Sequence, residues 1–108
     1  MSTLSLEWTE REEQVAQTAF NLAYHREMNT TLEQVRAFAQ TIELADDLWK
    51  LHDFLSSKRH EMDGKYDSRS PMLIFVFAQL IKAGWITLDE LEGLAPDKLS
   101  KIAALTRL

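Results

Sequence analysis

The stretch DDLWKLHDFLSSKRHEMDGKYD, residues 46–67, decides the fold of this chain, because it has the pattern of a long amphipathic helix. One stripe is apolar at helical spacing: Leu44, Leu48, Leu51, Leu55 and Met62. The adjacent face carries Trp49, His52, Asp53, Ser56 and His60. Gly64 is predicted to end the helix, since glycine adopts the left-handed conformation of a helix end without steric cost.

The helix is predicted to begin well before this stretch. Thr30 and Glu33 have the spacing of a capping box, which indicates a turn at Asn29–Thr30 and a helix start at Thr31. No breaker follows before Gly64, so this helix would be about 50 Å long. Its length exceeds what a domain of this size can cover. We therefore expect the helix to pack against a second chain.

A second apolar seam along the predicted long helix also indicates a dimer. Its residues recur at steps of three and four: Val35, Phe38, Ile42, Ala45, Trp49 and His52. The expected interface of a symmetric homodimer comprises Leu32, Val35, Phe38, Ile42, Trp49, Asp53 and Arg59. Asp53 and Arg59 are six residues apart and point to different sides of one helix. They could pair across an antiparallel two-fold axis at Ser56, or they could remain two solvated charges.

The other segments also indicate helices. The first helix is predicted from the Thr9–Glu12 capping box to about Met28. Three shorter helices are predicted over Pro71–Ala83, over Thr87–Gly93 and from Pro96 onward. The first of these is rich in strand-forming residues, but its length and flanking caps favour a helix. The sequence therefore predicts an all-α fold of about five helices.

Length and composition favour one domain that has no nucleic-acid partner and no integral membrane segment. We expect the 108 residues to form a single helical domain, with a hairpin over about residues 1–64 and a helical head over about residues 65–108. The net charge is −5, and residues 1–47 carry nine acidic and three basic side chains, which argues against nucleic acid. The longest apolar run, Met72–Ala78, is far shorter than the ~20 residues of a bilayer span. The N-terminus lacks a signal-peptide pattern, so a cytoplasmic location is expected.

No pattern in the sequence indicates catalysis or metal binding. The chain has no cysteine, which excludes thiolate metal sites and cysteine nucleophiles. No Glu-x-x-His motif of a di-iron protein occurs. His52 and Asp53 are adjacent in sequence and are expected to diverge on a helix. We therefore expect no catalytic residue, no metal and no cofactor, and a protein that is not an enzyme.

The aromatic residues of the long helix have two interpretations. Trp49, His52 and Phe54 could be ordinary core residues, as aromatic residues at helical spacing usually are. However, the leucine stripe already supplies a core face, which favours an interaction surface for Trp49 and His52. Tryptophan and arginine are the residue types that dominate binding hot spots.

Three segments resemble the fluorescence recovery protein family of cyanobacterial photoprotection: residues 46–67, IFVFAQL at 74–80 and KIAALTRL at 101–108. The resemblance implies a functional patch beside a dimer interface at Trp49, His52, Asp53 and Arg59. It also implies a head region at Phe75 and Lys101 that contacts the partner protein. All six residues of the family pattern are present in this chain.

The resemblance implies a regulator that makes and breaks no bonds. Members of the family bind the red, activated form of the orange carotenoid protein, mainly through its C-terminal domain. They accelerate its return to the orange form and its detachment from the phycobilisome, which restores antenna fluorescence. This partner could bring a cytoplasmic protein to the thylakoid or phycobilisome surface. The alternative is a dimeric helical adaptor or scaffold that acts on another partner.

Overall fold

The computed structural model describes residues 7–66 and 70–108, and over these residues it confirms the all-α fold. Four α-helices and one short 3₁₀-helix follow each other along the described residues: α1 over Glu10–Ala39, α2 over Ala45–Lys65, α3 over Ser70–Lys82, the 3₁₀-helix over Leu88–Leu91 and α4 over Pro96–Thr106. The β-type pairing in this part of the chain is an isolated bridge between Glu92 and Leu94. The strand-prone residues of α3 are therefore helical.

Helix α1 continues through the predicted turn at Asn29–Thr30, so that prediction is wrong. The hydroxyl of Thr31 donates to the carbonyl oxygen of Glu27 at 2.9 Å, one turn earlier in the same helix. A threonine bonded in this way sits inside a helix and does not cap a new one. The Thr9–Glu12 capping box at the start of α1 is confirmed by both of its hydrogen bonds, at 3.0 and 3.1 Å.

The predicted long helix is interrupted at residues 40–44, which corrects the ~50 Å estimate. The hydroxyl of Thr41 donates to the carbonyl oxygen of Phe38 at 2.7 Å and closes α1. The carboxylate of Asp47 then accepts from the backbone amides of Glu43 and Leu44 at 3.0 and 3.1 Å. These bonds satisfy amide groups at the start of α2, where a helix has no acceptors of its own.

Helix α2 folds back along α1 to form a hairpin. Phe38 near the end of α1 stacks on Phe54 of α2, with ring centroids 6.3 Å apart. Glu27 in the middle of α1 accepts from Lys65 at the end of α2, at 2.8 Å. Helix α2 includes Gly64 and ends at Lys65, so the predicted end at Gly64 is wrong by one residue. A division at about residue 64 into hairpin and head stays a prediction.

The main core lies at the other end of the molecule, where α3, the 3₁₀-helix and α4 pack on the first half of α1. Its members include Ala19, Phe20, Ala23, Leu73, Phe77, Leu80, Leu91 and Ile102. The ring of Phe20 meets that of Phe77 edge-on, with centroids 5.3 Å apart. We call α3, the 3₁₀-helix and α4 the head, and α1 contributes Val15, Ala16, Ala19, Phe20 and Ala23 to its core.

Gly93 allows the loop before α4 to approach α1 closely. Its φ angle of +115° is one that side chains disfavour, and a Cβ atom there would lie 2.7 Å from Cγ2 of Val15. Behind this contact, the buried carboxylate of Glu12 accepts from Nζ of Lys98 at 3.1 Å and from the amide of Ala95 at 2.8 Å. The start of α4 is thereby fixed to the start of α1.

Candidate functional site

Helix α2 carries the four predicted patch residues, all of them exposed, and we call the side that carries Trp49 its outer face. Trp49 is 64% exposed, although a side chain of this size is normally well covered. The rings of Trp49 and His52 meet edge-on with centroids 6.3 Å apart. Arg59 lies farther along the same helix and is also exposed. The interpretation of Trp49 as a core residue is therefore wrong for this chain.

The imidazole of His52 and the carboxylate of Asp53 do not diverge, in contrast to our expectation. Nδ1 of His52 lies 3.3 Å from Oδ1 of Asp53. Both side chains are flexible enough to bend together, and both are largely exposed to solvent. A pair this exposed is weak. It leaves the remaining polar atoms of both residues available to another protein.

The predicted dimer residues are divided between the two arms of the hairpin. Leu32, Val35 and Phe38 lie on α1, Ile42 lies in the connecting segment, and Trp49, Asp53 and Arg59 lie on α2. The predicted seam on one continuous helix is therefore wrong, because the chain reverses at residues 40–44. The hairpin nevertheless exposes several large apolar side chains: Leu32, Leu44, Leu48, Trp49 and Leu55.

A cavity of about 430 Å³ opens between the two arms of the hairpin. Tyr24 and Met28 line it from α1, and Leu55, Arg59 and Met62 line it from α2. Thr31, Lys58 and Asp63 complete the lining, so the wall combines apolar side chains with charged groups of both signs. Arg59 borders this cavity, whereas Trp49 lies on the outer face of α2.

The head presents a second exposed surface. Phe75 is 54% exposed and Met72 is also exposed, although the neighbouring residues of α3 are buried. Lys101 is exposed on α4. The two short C-terminal segments therefore leave part of the apolar surface of α3 uncovered, as their small number of apolar residues predicts. The roles of Phe75 and Lys101 in binding stay predictions.

The sequence analysis missed a buried polar cluster behind the outer face of α2. Glu27 is 1% exposed, and one of its carboxylate oxygens accepts from Nζ of Lys58 at 2.9 Å and of Lys65 at 2.8 Å. Its other oxygen accepts from the hydroxyl of Tyr66 at 2.9 Å. The signal was available: Glu27 continues the stripe of Phe20 and Ala23 in steps of three and four, and so falls on the inner face of α1.

The charge of Glu27 is maintained in this buried position. Burial by itself raises the pKa of Glu27, but the hydrogen bonds from Lys65, Lys58 and Tyr66 outweigh it and hold the pKa below the ordinary value. Burial and the nearby carboxylate raise the pKa of Tyr66, so its hydroxyl remains a donor. The cluster is therefore a charged carboxylate with three donors, and each of its oxygens is bonded.

A neighbouring ion pair connects α1 to the head. Arg26 donates through two nitrogens to both carboxylate oxygens of Glu90, at 2.8 and 2.7 Å. The amide of Thr87 donates to the same carboxylate at 2.9 Å. The hydrogen bond from Arg26, followed by that from Thr87, lowers the pKa of Glu90 to about 2. Glu27 thus connects α1 to α2, whereas the adjacent Arg26 connects α1 to the head.

Within residues 7–66 and 70–108, no group of three or more His, Asp or Glu side chains is arranged to hold a metal ion. In the same part of the chain, no helix has both the length and the apolar composition that crossing a bilayer requires.

Comparison with known proteins gives one family for the whole chain. The family described as "Photoprotection regulator fluorescence recovery protein" matches residues 8–106. A curated relative, the fluorescence recovery protein of Synechocystis sp. PCC 6803, is 54% identical over 108 residues, which is all of this chain and 99% of the relative. This chain belongs to the fluorescence recovery protein family. The resemblance seen in the sequence is thereby confirmed.

Solved structures of family members have the same fold. The fluorescence recovery protein of Fremyella diplosiphon is 54% identical, with a TM-score of 0.89 over 94% of this chain and 100% of that chain. The Synechocystis protein is 56% identical, with the same TM-score and the same coverage. An arginine-to-lysine variant of the Synechocystis protein superposes equally well, at 55% identity.

Proposed function

We propose that this protein is a non-enzymatic regulator that binds the red form of the orange carotenoid protein, mainly at its C-terminal domain. It accelerates the return of that protein to the orange form and its detachment from the phycobilisome, and so restores antenna fluorescence. The cytoplasm is the proposed location. Membership of a family of photoprotection regulators supports this assignment.

The observation that carries the proposal is the exposure of Trp49 on the outer face of α2. An indole ring combines a large apolar surface with one hydrogen-bond donor, and it loses little conformational entropy when it is covered. His52 and Asp53 beside it supply polar groups that can give the contact its orientation. This combination is typical of a surface that binds another protein.

A regulator of this kind needs no catalytic group. It accelerates a conformational change if it binds the transition state between the two forms more tightly than it binds the red form. About 1.4 kcal/mol of such differential binding gives a tenfold faster change. A few well-placed contacts on the outer face of α2 are sufficient for an effect of this size.

We propose that the active form is a homodimer whose two hairpins pack through α2. The exposed side chains of Leu32, Leu48 and Leu55 support this arrangement, because they are a substantial apolar surface for a small protein to leave in water. In α2, Asp53 and Arg59 are each about 4.5 Å along the helix from Ser56, so an antiparallel two-fold axis there would bring each Asp53 level with Arg59 of the other chain. Arg59 and Asp53 would then pair twice, as a symmetric interface requires.

The test is dark recovery of the photoactivated orange carotenoid protein, followed by absorbance, with and without this protein. The proposal predicts that recovery accelerates with the concentration of this protein until the effect saturates. A scaffold would bind without changing the rate. Binding with an unchanged recovery rate would therefore reject the proposed function in favour of the adaptor.

A further inference from the structure

The hydrogen bonds that connect α2 to α1 include those from Lys58 and Lys65 to Glu27. Among the residues of α2, all of which are described, only Met62 is buried. The apolar contact of Phe54 with Phe38 lies near the hairpin turn. At the other end, Lys58, Lys65 and Tyr66 converge on the carboxylate of Glu27. Because few apolar side chains fix α2, these polar bonds determine how it is rotated about its own axis.

The geometry of a helix relates this rotation to the outer face. At about 100° per residue, Lys58 and Lys65 point in nearly the same direction. Trp49 precedes Lys58 by nine residues, so it points about 180° away. By the same rule, Asp53 lies about 140° from Lys58, and Arg59 about 100°. The residues that bind Glu27 are thus on the back of the surface that carries Trp49.

We propose that Glu27 is a positioning residue for partner binding: it fixes the rotation of α2 and thereby the direction in which Trp49, Asp53 and Arg59 point. This inference rests on the proposed function, because it concerns the same binding surface. Glu27 itself is covered by the hairpin and would not contact the partner. Its effect is transmitted through Lys58 and Lys65.

The bonds of Glu27 are suited to this role. Its carboxylate is fixed from two sides, because one oxygen binds both lysines and the other binds Tyr66. The ring of Tyr66 packs edge-on against Phe20, with centroids 5.6 Å apart, so the cluster is joined to the head core. Bonds to a buried charge are also stronger than those between neutral groups. A rotation of α2 would have to break several of them together.

The decisive variant is Glu27→Gln, which preserves the shape of the side chain and removes its charge. Lys65 retains a second carboxylate, Glu61, at 3.1 Å, so we expect α2 to stay helical. We expect its second half, residues 56–65, to exchange amide hydrogens faster. We also expect Kd for the photoactivated orange carotenoid protein to rise at least about tenfold.

The matched control is Glu90→Gln. Glu90 also accepts three hydrogen bonds, from Arg26 twice and from Thr87, but it connects α1 to the head and does not touch α2. This variant should retain the wild-type Kd and the wild-type exchange in residues 56–65. If Glu90→Gln weakens binding as much as Glu27→Gln, the effect is general destabilisation and the proposal is wrong.

A milder variant keeps the test decisive if Glu27→Gln fails to fold. Tyr66→Phe removes one donor to Glu27 and retains the ring that packs on Phe20. We expect a smaller change of the same kind in both Kd and exchange. If Glu27→Gln folds and binds with the wild-type Kd, the proposal is wrong. If Glu27→Gln does not fold, a wild-type Kd in Tyr66→Phe overturns the proposal instead.

The two readouts separate this inference from the proposed function. If the wild-type protein does not bind the orange carotenoid protein, the proposed function fails, and exchange in α2 still reports whether Glu27 fixes the helix. If the wild type binds and Glu27→Gln exchanges like the wild type, the positioning role fails alone.

Discussion

The head and the hairpin are stabilised in different ways. The head surrounds α3 with apolar side chains, and Phe77, Leu80 and Ile102 have no exposed surface. In the hairpin, α2 buries only Met62 among its described residues and is held by charged groups. The head is therefore stable through burial within one chain. The hairpin leaves apolar surface uncovered, which is what a region that binds other proteins requires.

The largest expected effect distinguishes two phenylalanines of α3. Phe77 is 0% exposed, so Phe77→Ala should lower the free energy of unfolding by about 3–5 kcal/mol. Phe75→Ala should lower it by less than half as much, because Phe75 is half exposed, and should weaken partner binding instead. Thermal unfolding and a binding titration on both variants measure this. Equal losses of stability would mean that the head has no separate binding surface.

The second prediction concerns the apolar surface of the hairpin. Leu32→Glu should convert the proposed dimer to a monomer, because it introduces a charge into an apolar contact. Light scattering at micromolar concentration should give twice the chain mass for the wild type and the chain mass for the variant. The matched change Glu33→Gln, at the next exposed position, should leave the mass unchanged. A wild type that is monomeric would contradict the proposed dimer.

Arg59→Leu tests the outer part of α2. We expect helical content by circular dichroism to be unchanged, since Arg59 is exposed, and the acceleration of dark recovery to fall by at least about tenfold. Arg36→Leu is the control, because it removes an exposed arginine that lies on α1 and is not one of the patch residues. Wild-type activity in Arg59→Leu would reduce Arg59 to an ordinary surface charge.

Stability should also depend on pH in a way that involves both regions. The pKa values of Glu12, Glu27 and Glu90 are all lower in the folded protein than the ordinary value of 4.5. Groups lowered in this way stabilise the fold fully above their unfolded pKa, and the stabilisation is lost as pH falls through the folded pKa. Unfolding measured from pH 6 to pH 2 should show a decrease that begins near pH 5. The decrease should be shallower in Glu27→Gln.

The smallest effect is expected for Lys101→Glu. This exposed side chain lies on α4, and we expect its reversal to weaken partner binding severalfold without changing the melting temperature. Asp97→Lys, one turn earlier on α4, is the control, because it changes the charge of the same helix by the same amount in the opposite direction. Normal binding by Lys101→Glu together with normal binding by Phe75→Ala would leave α2 as the only docking surface.

Much of the fold could be predicted, because capping residues and helical periodicity are local signals. The capping box at Thr9 and the helical nature of α3 are examples. The turn was misplaced because Thr30 and Glu33 have capping spacing, but the neighbouring Thr31 bonds back into α1. The true turn is followed by Asp47, whose carboxylate accepts hydrogen bonds from the backbone amides of Glu43 and Leu44. This signal is local, but the N-cap residue Leu44 has no capping side chain, so the start of α2 does not show the usual pattern.

The exposed residues of the candidate site were named from the sequence, but the buried cluster behind them was not. Trp49 was singled out because a tryptophan is unusual on an exposed helix face, and Arg59 because the stretch resembles a known family; the binding roles of both stay predictions. Glu27 was missed because its two lysine partners are 31 and 38 residues away, and nothing local connects them. The helical stripe through Phe20 and Ala23 places Glu27 on the inner face of α1, but the partners of the carboxylate follow only from the folded hairpin.

Helix α1 also acts as a mechanical lever. It runs as one helix from the head core at Val15, where it touches the loop at Gly93, to the tip of the hairpin at Ala39. Those 24 positions span roughly 36 Å, so each degree of tilt at Val15 displaces the tip by roughly 0.6 Å. A side chain at position 93 would push on the short end of this lever. Because glycine has no side chain, the loop meets α1 at Val15 without displacing the helix.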